Sequence, residues 1–383
     1  MLRVLIMALA IVLPGSGLLA CDNSSRSTVS DGANRVTVPA LAADSSSTPV
    51  RPFRMGWFFQ PPQPTPQSVV KTSPVMAGFS DAILIQREVP WKRLLAGDSM
   101  ETIAEEEYDG VVKFLTGLGI HVSFLVDPLD GLDRTREGSE MRASGRSLKE
   151  PEIRAIHEQW VKFLAARYKP EFLGLASEIN SLAARGDPEL YAAVKLMCDR
   201  LAPRIREISP ATRVFVSFQV DEAWARVPGL PSRVDHFKLT RDFDIDVLGL
   251  SSYPSFFFDD PSDIPPDYFS RLMVASGKPV LVAEGGWSSA PAGKGETPET
   301  LAAQARFMER FFVLVDSVQP ELVILLLFAD LDLEAWKTVA PANSDPERVR
   351  PFISMGLAHD DLSPKPALNI WAAVFNRPYV PGP

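Results

Sequence analysis

Residues 172–219 read FLGLASEINSLAARGDPELYAAVKLMCDRLAPRIREISPATRVFVSFQ, and this stretch decides the fold. Positions 172–176 are almost wholly apolar and too few for a helix. Positions 188–208 open on a proline and repeat apolar residues at helical spacing, and 213–219 is a second short run rich in Val and Phe. Two nearly continuous apolar runs around one amphipathic stretch describe a strand, a crossover helix and a parallel strand buried on both faces.

The same alternation extends in both directions. Short apolar runs occupy 53–59, 81–86, 120–126, 172–176, 213–219, 246–250, 279–284 and 322–328, which makes eight. Helical spacing fills most gaps, at 100–118, 150–168, 188–208, 266–276 and 298–318, with 365–374 after the last run. The first gap offers only 67–76, interrupted by Pro74, and the fifth only the brief 234–241. Eight such units predict an α/β chain folded as a (β/α)8 or TIM barrel. An open doubly wound sheet is the competitor, but no glycine-rich dinucleotide fingerprint follows any run.

Composition bounds the chemistry. The 383 residues are 46% hydrophobic and 23% charged, enough for a large core. A formal charge of −9 opposes binding to phosphate backbones, so no nucleic-acid partner is expected. Two cysteines and four histidines are too few for a disulfide scaffold or a histidine metal cage, and no cofactor or metal is expected. The 34 prolines call for many rigid loops or a disordered region, and clusters at 61–66, 254–266 and 341–351 fall in loops after the first, sixth and eighth runs.

The first twenty residues read as an export signal: Arg3, an apolar run over 4–13, a break at Pro14 and Gly15, then Leu-Leu-Ala before Cys21. Leu-Leu-Ala-Cys resembles the bacterial lipobox, in which the cysteine is lipidated and becomes the mature N-terminus. Cys21 is therefore the expected lipid anchor, and Cys198 the remaining thiol, expected to be small and buried. Ten of the 29 residues over 22–50 are Ser or Thr and none is aromatic, so 21–50 reads as a tether spanning roughly 30 Å. The folded domain is 51–383, with a monomer favoured and a bacterial cell-envelope location expected.

Active sites of such barrels form at the carboxyl ends of the strands. Glu178 follows the fourth run, Glu284 ends the seventh, Asp127 follows the third and Asp330 the eighth, while Gln219 and Tyr253 stand at the fifth and sixth ends. Five of seven tryptophans, Trp57, Trp91, Trp224, Trp287 and Trp336, fall at or near this rim; Trp160 and Trp371 read as helical core. Indole faces stack on sugar rings while carboxylates and amides meet sugar hydroxyls, so the rim points to carbohydrate chemistry. Cleaving a glycosidic bond takes one carboxyl to protonate the leaving oxygen and a second to attack, and Glu178 and Glu284 fit the pair. Trp287 is the first choice for a sugar platform. His121 and His157 show no metal partner, and Glu105, Glu106 and Glu107 read as a solvated helix face.

Three segments carry a family resemblance: Ser-Glu-Ile-Asn at 177–180, Gly-Leu-Ser-Ser-Tyr-Pro at 249–254 and Val-Ala-Glu-Gly-Gly-Trp at 282–287. They resemble the clan of retaining (β/α)8 glycoside hydrolases, with the arabinogalactan endo-β-1,4-galactanases nearest. Gly-Leu-Ala-His-Asp-Asp at 356–361 and Pro-Lys-Pro-Ala-Leu at 364–368 are similar to the closing segment of that clan. The resemblance implies an acid/base at Glu178, a nucleophile at Glu284 and a Tyr253 hydroxyl bonded to that nucleophile. It further implies carboxyls about 5–5.5 Å apart and a Glu178 pKa raised toward roughly 6. Ser177 stands where the clan carries an Asn that contacts the sugar 2-hydroxyl, with Asn180 nearby as a substitute, and Gln219 stands where galactanases tend to carry histidine. The expected activity is hydrolysis of a β-linked polysaccharide or oligosaccharide; a catalytically silent carbohydrate-binding lipoprotein and an envelope scaffold for polysaccharide export are the alternatives.

Overall fold

The computed structural model describes residues 49–226, 232–291, 295–339 and 346–382. Cys21 and residues 22–48 of the expected tether lie outside them. Eight parallel strands close a barrel: β1 (Arg54–Phe58), β2 (Ala82–Glu88), β3 (His121–Asp127), β4 (Phe172–Gly174), β5 (Arg213–Gln219), β6 (Val247–Ser252), β7 (Val280–Gly285) and β8 (Leu322–Leu325). Each pairs with its sequence neighbours, and β8 returns to β1 with Arg54 opposite Leu322 and Trp57 opposite Leu325. This is the (β/α)8 architecture read from the eight apolar runs.

Alternation along each strand divides the core in two. Phe58, Ala82, Leu84, Leu125, Phe172, Phe215, Val247, Leu281 and Ile324 cluster inside the barrel, while neighbours such as Ile83, Phe124, Val214, Leu248 and Val282 pack outward against the helices. Gly174 and Gly249 make room for the interior ring of Phe215: a Cβ at Gly174 would come within 2.6 Å of that ring. The long helices begin where the sequence marks them. Asp187 caps Pro188–Ile208 through the Glu189 amide, and Thr297 and Thr300 form a reciprocal capping box at Pro298–Val318.

Two local expectations change. The helix expected over 100–118 is interrupted by a π-helical turn at Glu105–Asp109. Within it only Glu105 and Glu106 face solvent; Glu107 turns inward, 2.9 Å from Arg93 Nη1 and 3.7 Å from Arg87 Nη1. His157 is buried in its helix, and burial lowers its pKa to about 3. Cys198 is buried as expected.

Candidate active site

Glu178 enters the site through an unusual backbone. It stands between the end of the β4 pairing and the helix Ile179–Arg185 with φ of +48°, a left-handed conformation costly for a side chain with a Cβ. Its N–H donates to Ser217 Oγ at 2.9 Å, so β5 helps hold the turn.

Glu284 enters through a bulge. Leu250 pairs with Val282 and Ser251 with Glu284, so Ala283 has no partner in the ladder. Leu281 and Ala283 lie in the interior cluster, and regular alternation would therefore send Glu284 outward. The extra residue turns it inward, where it meets Ser251, Tyr253 and Ser177.

Ser251 joins the two carboxyls. Its Oγ is 2.5 Å from Glu178 Oε1 and 2.8 Å from Glu284 Oε1. The two oxygens are thus no farther apart than those distances end to end, within the ~5–5.5 Å of a retaining pair and short of the ~6.5–9.5 Å of an inverting one. A serine hydroxyl carries one proton, so it satisfies only one of the two contacts as donor; the other requires a protonated carboxyl. Burial, then the charge of Glu284, raises the Glu178 pKa to about 8, above the sequence expectation. Burial also raises Glu284, but Arg134, Ser251 and Tyr253 oppose that rise, with the Tyr253 hydroxyl donating to Glu284 Oε2 at 3.2 Å. Arg134 and Ser251 lower both carboxyls while Tyr253 lowers Glu284 alone, so the shared proton favours Glu178, from which it is donated to Ser251 Oγ while Ser251 donates to Glu284.

Arg134 supplies the cation. It lies on Asp133–Glu137, the second strand of a hairpin that follows β3, and its Nε is 3.5 Å from Glu178 Oε2. Its Nη1 bonds Asp127 Oδ2, which also accepts Gln86 Nε2 at 3.1 Å, while Asp127 Oδ1 accepts the Leu129 amide across Pro128. Burial pushes the Asp127 pKa up, but every one of these partners donates to it, so it serves as a carboxylate. Burial opposes the Arg134 charge as well, yet Asp127, Glu178 and Glu284 outweigh it and hold the guanidinium charged.

The remaining sequence candidates have other positions. Asn180 is not turned to the barrel mouth: its amide pairs with the backbone of Gln219 in both directions and with His236 Nδ1. Gln219 caps the short helix Val220–Ala223 through Glu222 N and donates to Asp221, whose carboxylate also accepts the Tyr253 amide at 3.0 Å and the Tyr268 hydroxyl. These two residues hold Tyr253. Asp330 is bonded 2.5 Å from the buried Lys365 and braces the loop after β8 through Gly356 N. Ser177 sits between Ser217 at 3.3 Å and Glu284 at 3.5 Å.

The tryptophans do not form a sugar platform. Trp57 is fully buried against Trp371 and Phe328 on the outer side of the barrel wall. Trp91 packs beside His157, and Trp287 stacks on Phe307 of Pro298–Val318. Trp224 lies against Tyr268 and donates to its carbonyl, and Trp336 donates to the Pro62 carbonyl from a buried position. Rim position in sequence does not settle which face a ring takes: Trp57, Trp91, Trp287 and Trp336 are buried, and Trp224 is half-buried.

The Tyr253 ring packs in an aromatic cluster. Phe352 meets Tyr253 edge-on at 5.2 Å, and Phe256 meets Phe352 at 5.2 Å. Arg348 Nη2 donates to the Leu132 carbonyl, joining the chain beyond β8 to the hairpin after β3. Glu178 and Glu284 each keep 1% of their surface exposed.

No protein-family model and no curated protein matches the chain. Solved structures do. Xylanase 10B from Thermotoga maritima aligns with a TM-score of 0.56 at 14% identity over 85% of this chain and 95% of its own. GH5_18 from Streptomyces cattleya in complex with GlcNAc aligns with a TM-score of 0.63 at 16% identity over 88% and 83%. An exo-beta-1,4-mannosidase, Op5Man5 from Opitutaceae bacterium strain TAV5, aligns with a TM-score of 0.60 at 14% identity over 85% of this chain and 59% of its own. The chain shares the (β/α)8 fold of these glycoside hydrolases.

Proposed function

We propose that the protein is a retaining glycoside hydrolase acting on a β-linked polysaccharide or oligosaccharide, galactan being one candidate. The observation that carries this reading is the single Ser251 hydroxyl in contact with both carboxyls, at strand ends opposite each other across the mouth. Glu284 attacks the anomeric carbon as the carboxylate while Glu178 delivers its proton to the departing glycosidic oxygen. The glycosyl-enzyme ester is then hydrolysed by a water that gives its proton back to Glu178, restoring one shared proton. Tyr253 and Arg134 steady the anionic nucleophile until attack. On this reading the domain is exported and held at a bacterial membrane by lipid on Cys21.

The test is turnover of 4-nitrophenyl and 2,4-dinitrophenyl β-glycosides and of β-linked glycans. Glu284→Gln is expected to lose at least about a thousandfold, ~4 kcal/mol of barrier. Glu178→Gln is expected to lose most kcat/KM on the nitrophenyl glycosides and little kcat/KM on the dinitrophenyl ones, whose leaving group departs without a proton, while kcat falls on both because Glu178 also takes the proton of the attacking water. Equal kcat/KM losses on both leaving groups remove Glu178 from the acid role. The burial of both carboxyls favours a second reading, a silent carbohydrate-binding barrel; glycan binding with zero turnover in every form of the protein selects it.

A further inference from the structure

Beside the two carboxyls, at the end of β2 and on the hairpin after β3, two buried polar atoms lack hydrogen-bond partners among the described residues: Gln86 Oε1 and Arg134 Nη2. Gln86 is 8% exposed and Arg134 4%. Gln86 follows Ala82 and Leu84 on the interior face of β2, and its amide orientation is fixed because Nε2 donates to Asp127 Oδ2. Arg134 Nη1 is bound to the same Asp127 oxygen. One carboxylate oxygen thus anchors two side chains that each keep one unpaired polar atom, an acceptor on Gln86 and a donor on Arg134. Buried polar groups are ordinarily satisfied, and a hydroxyl is the one neutral group that both donates to an amide oxygen and accepts from a guanidinium.

We propose that Gln86 and Arg134 form a subsite that binds one ring hydroxyl of a neutral glycone. The proposal rests on the glycosidase reading and adds the class of sugar. Charge selects neutrality: Asp127 already balances Arg134, and Glu284 is a second nearby anion. A uronate or a sulfated sugar would bring a further negative charge against it.

Calorimetric titration of Glu284→Gln with the 4-nitrophenyl β-galactoside, β-glucoside, β-mannoside, β-xyloside and β-glucuronide supplies the test, followed by monodeoxy forms of the tightest binder. A neutral sugar is expected to bind at least about tenfold more tightly than the glucuronide. Deleting one particular hydroxyl is expected to weaken binding about tenfold, and that penalty is expected to vanish when Gln86→Leu is added. Deoxy sugars on the Gln86-bearing protein keep the test independent of whether the leucine variant folds. Binding of none of these sugars, preference for the glucuronide, or a deoxy penalty unchanged by Gln86→Leu overturns the subsite. A sugar that binds with the expected pattern but is never cleaved by the wild type overturns the hydrolase reading alone, and cleavage without the pattern overturns the subsite alone.

Discussion

Ser251 Oγ lies 2.5 Å from Glu178 Oε1, closer than to any other carboxyl oxygen it meets. The contact makes a strand serine part of the proton arrangement, accepting from one glutamate and passing its own hydrogen to the other. Ser251→Ala is expected to lower kcat about tenfold with KM nearly unchanged, because the hydroxyl touches the carboxyls and not the sugar. Ser251→Thr, which keeps the oxygen, is expected to recover most of that loss. Steady-state kinetics on one aryl β-glycoside decides it, and a change confined to KM refutes the role.

A carboxyl raised from 4.5 to about 8 sets the pH behaviour. Glu178 acts as acid only while protonated, so kcat/KM is expected to fall as pH rises through about 8. Stability follows the same sign. The folded state holds this proton more tightly than the unfolded chain, so the contribution is complete below 4.5 and is lost as pH rises through about 8. Thermal melts of wild type across that window are expected to decline, and those of Glu178→Gln to decline less. A rate that climbs through pH 8 contradicts the assignment.

The ion pair of Arg134 and Asp127 is fully enclosed, with side-chain exposures of 3% and 2%. Arg134→Met leaves Asp127 buried without its cation and is expected to cost about 3–5 kcal/mol in urea unfolding. Adding Asp127→Asn, which removes the buried charge and keeps one acceptor oxygen for the Leu129 amide, is expected to return a large part of it. Two losses that simply add would show that the pair is not coupled.

Trp57 and Trp287 separate packing from binding. Trp57→Ala is expected to cost about 3–5 kcal/mol by opening a cavity against Trp371 and Phe328. Trp287→Phe is expected to leave KM for aryl β-glycosides within about twofold, since the indole stacks on Phe307. A large rise in KM from Trp287→Phe would restore it as a sugar contact.

The barrel was legible because each buried strand leaves an uninterrupted apolar run. Even β4, whose regular pairing stops at Gly174, announces itself through 172–176; Leu175 N and the Ala176 carbonyl still bond to β5. Glu178, Glu284 and Tyr253 were legible as polar groups at strand ends, and the structure brings the three together. Arg134 was not, because the charge-rich stretch 129–137 reads as a solvated loop until the hairpin folds its arginine inward. Gln86 and Ser251 were not, because a polar residue at the end of an apolar run carries no mark of the face it takes. Trp57 shows the same limit: proximity to a strand end fixes height along the barrel axis, and one residue of phase decides inside or outside.

That phase is held at β7 by one unpaired residue. Because Ala283 is skipped in the pairing with β6, Ala283 and Glu284 both face the interior and Glu284 keeps its register with Ser251. Deleting Ala283 would leave Glu284 directly after the outward Val282, in a regular ladder and still turned to the barrel axis. Forcing a regular ladder with Ala283 in place would point the carboxylate into the helical layer, so at this strand the chemistry is encoded in how the residues pair, which substitution scanning alone would never reveal.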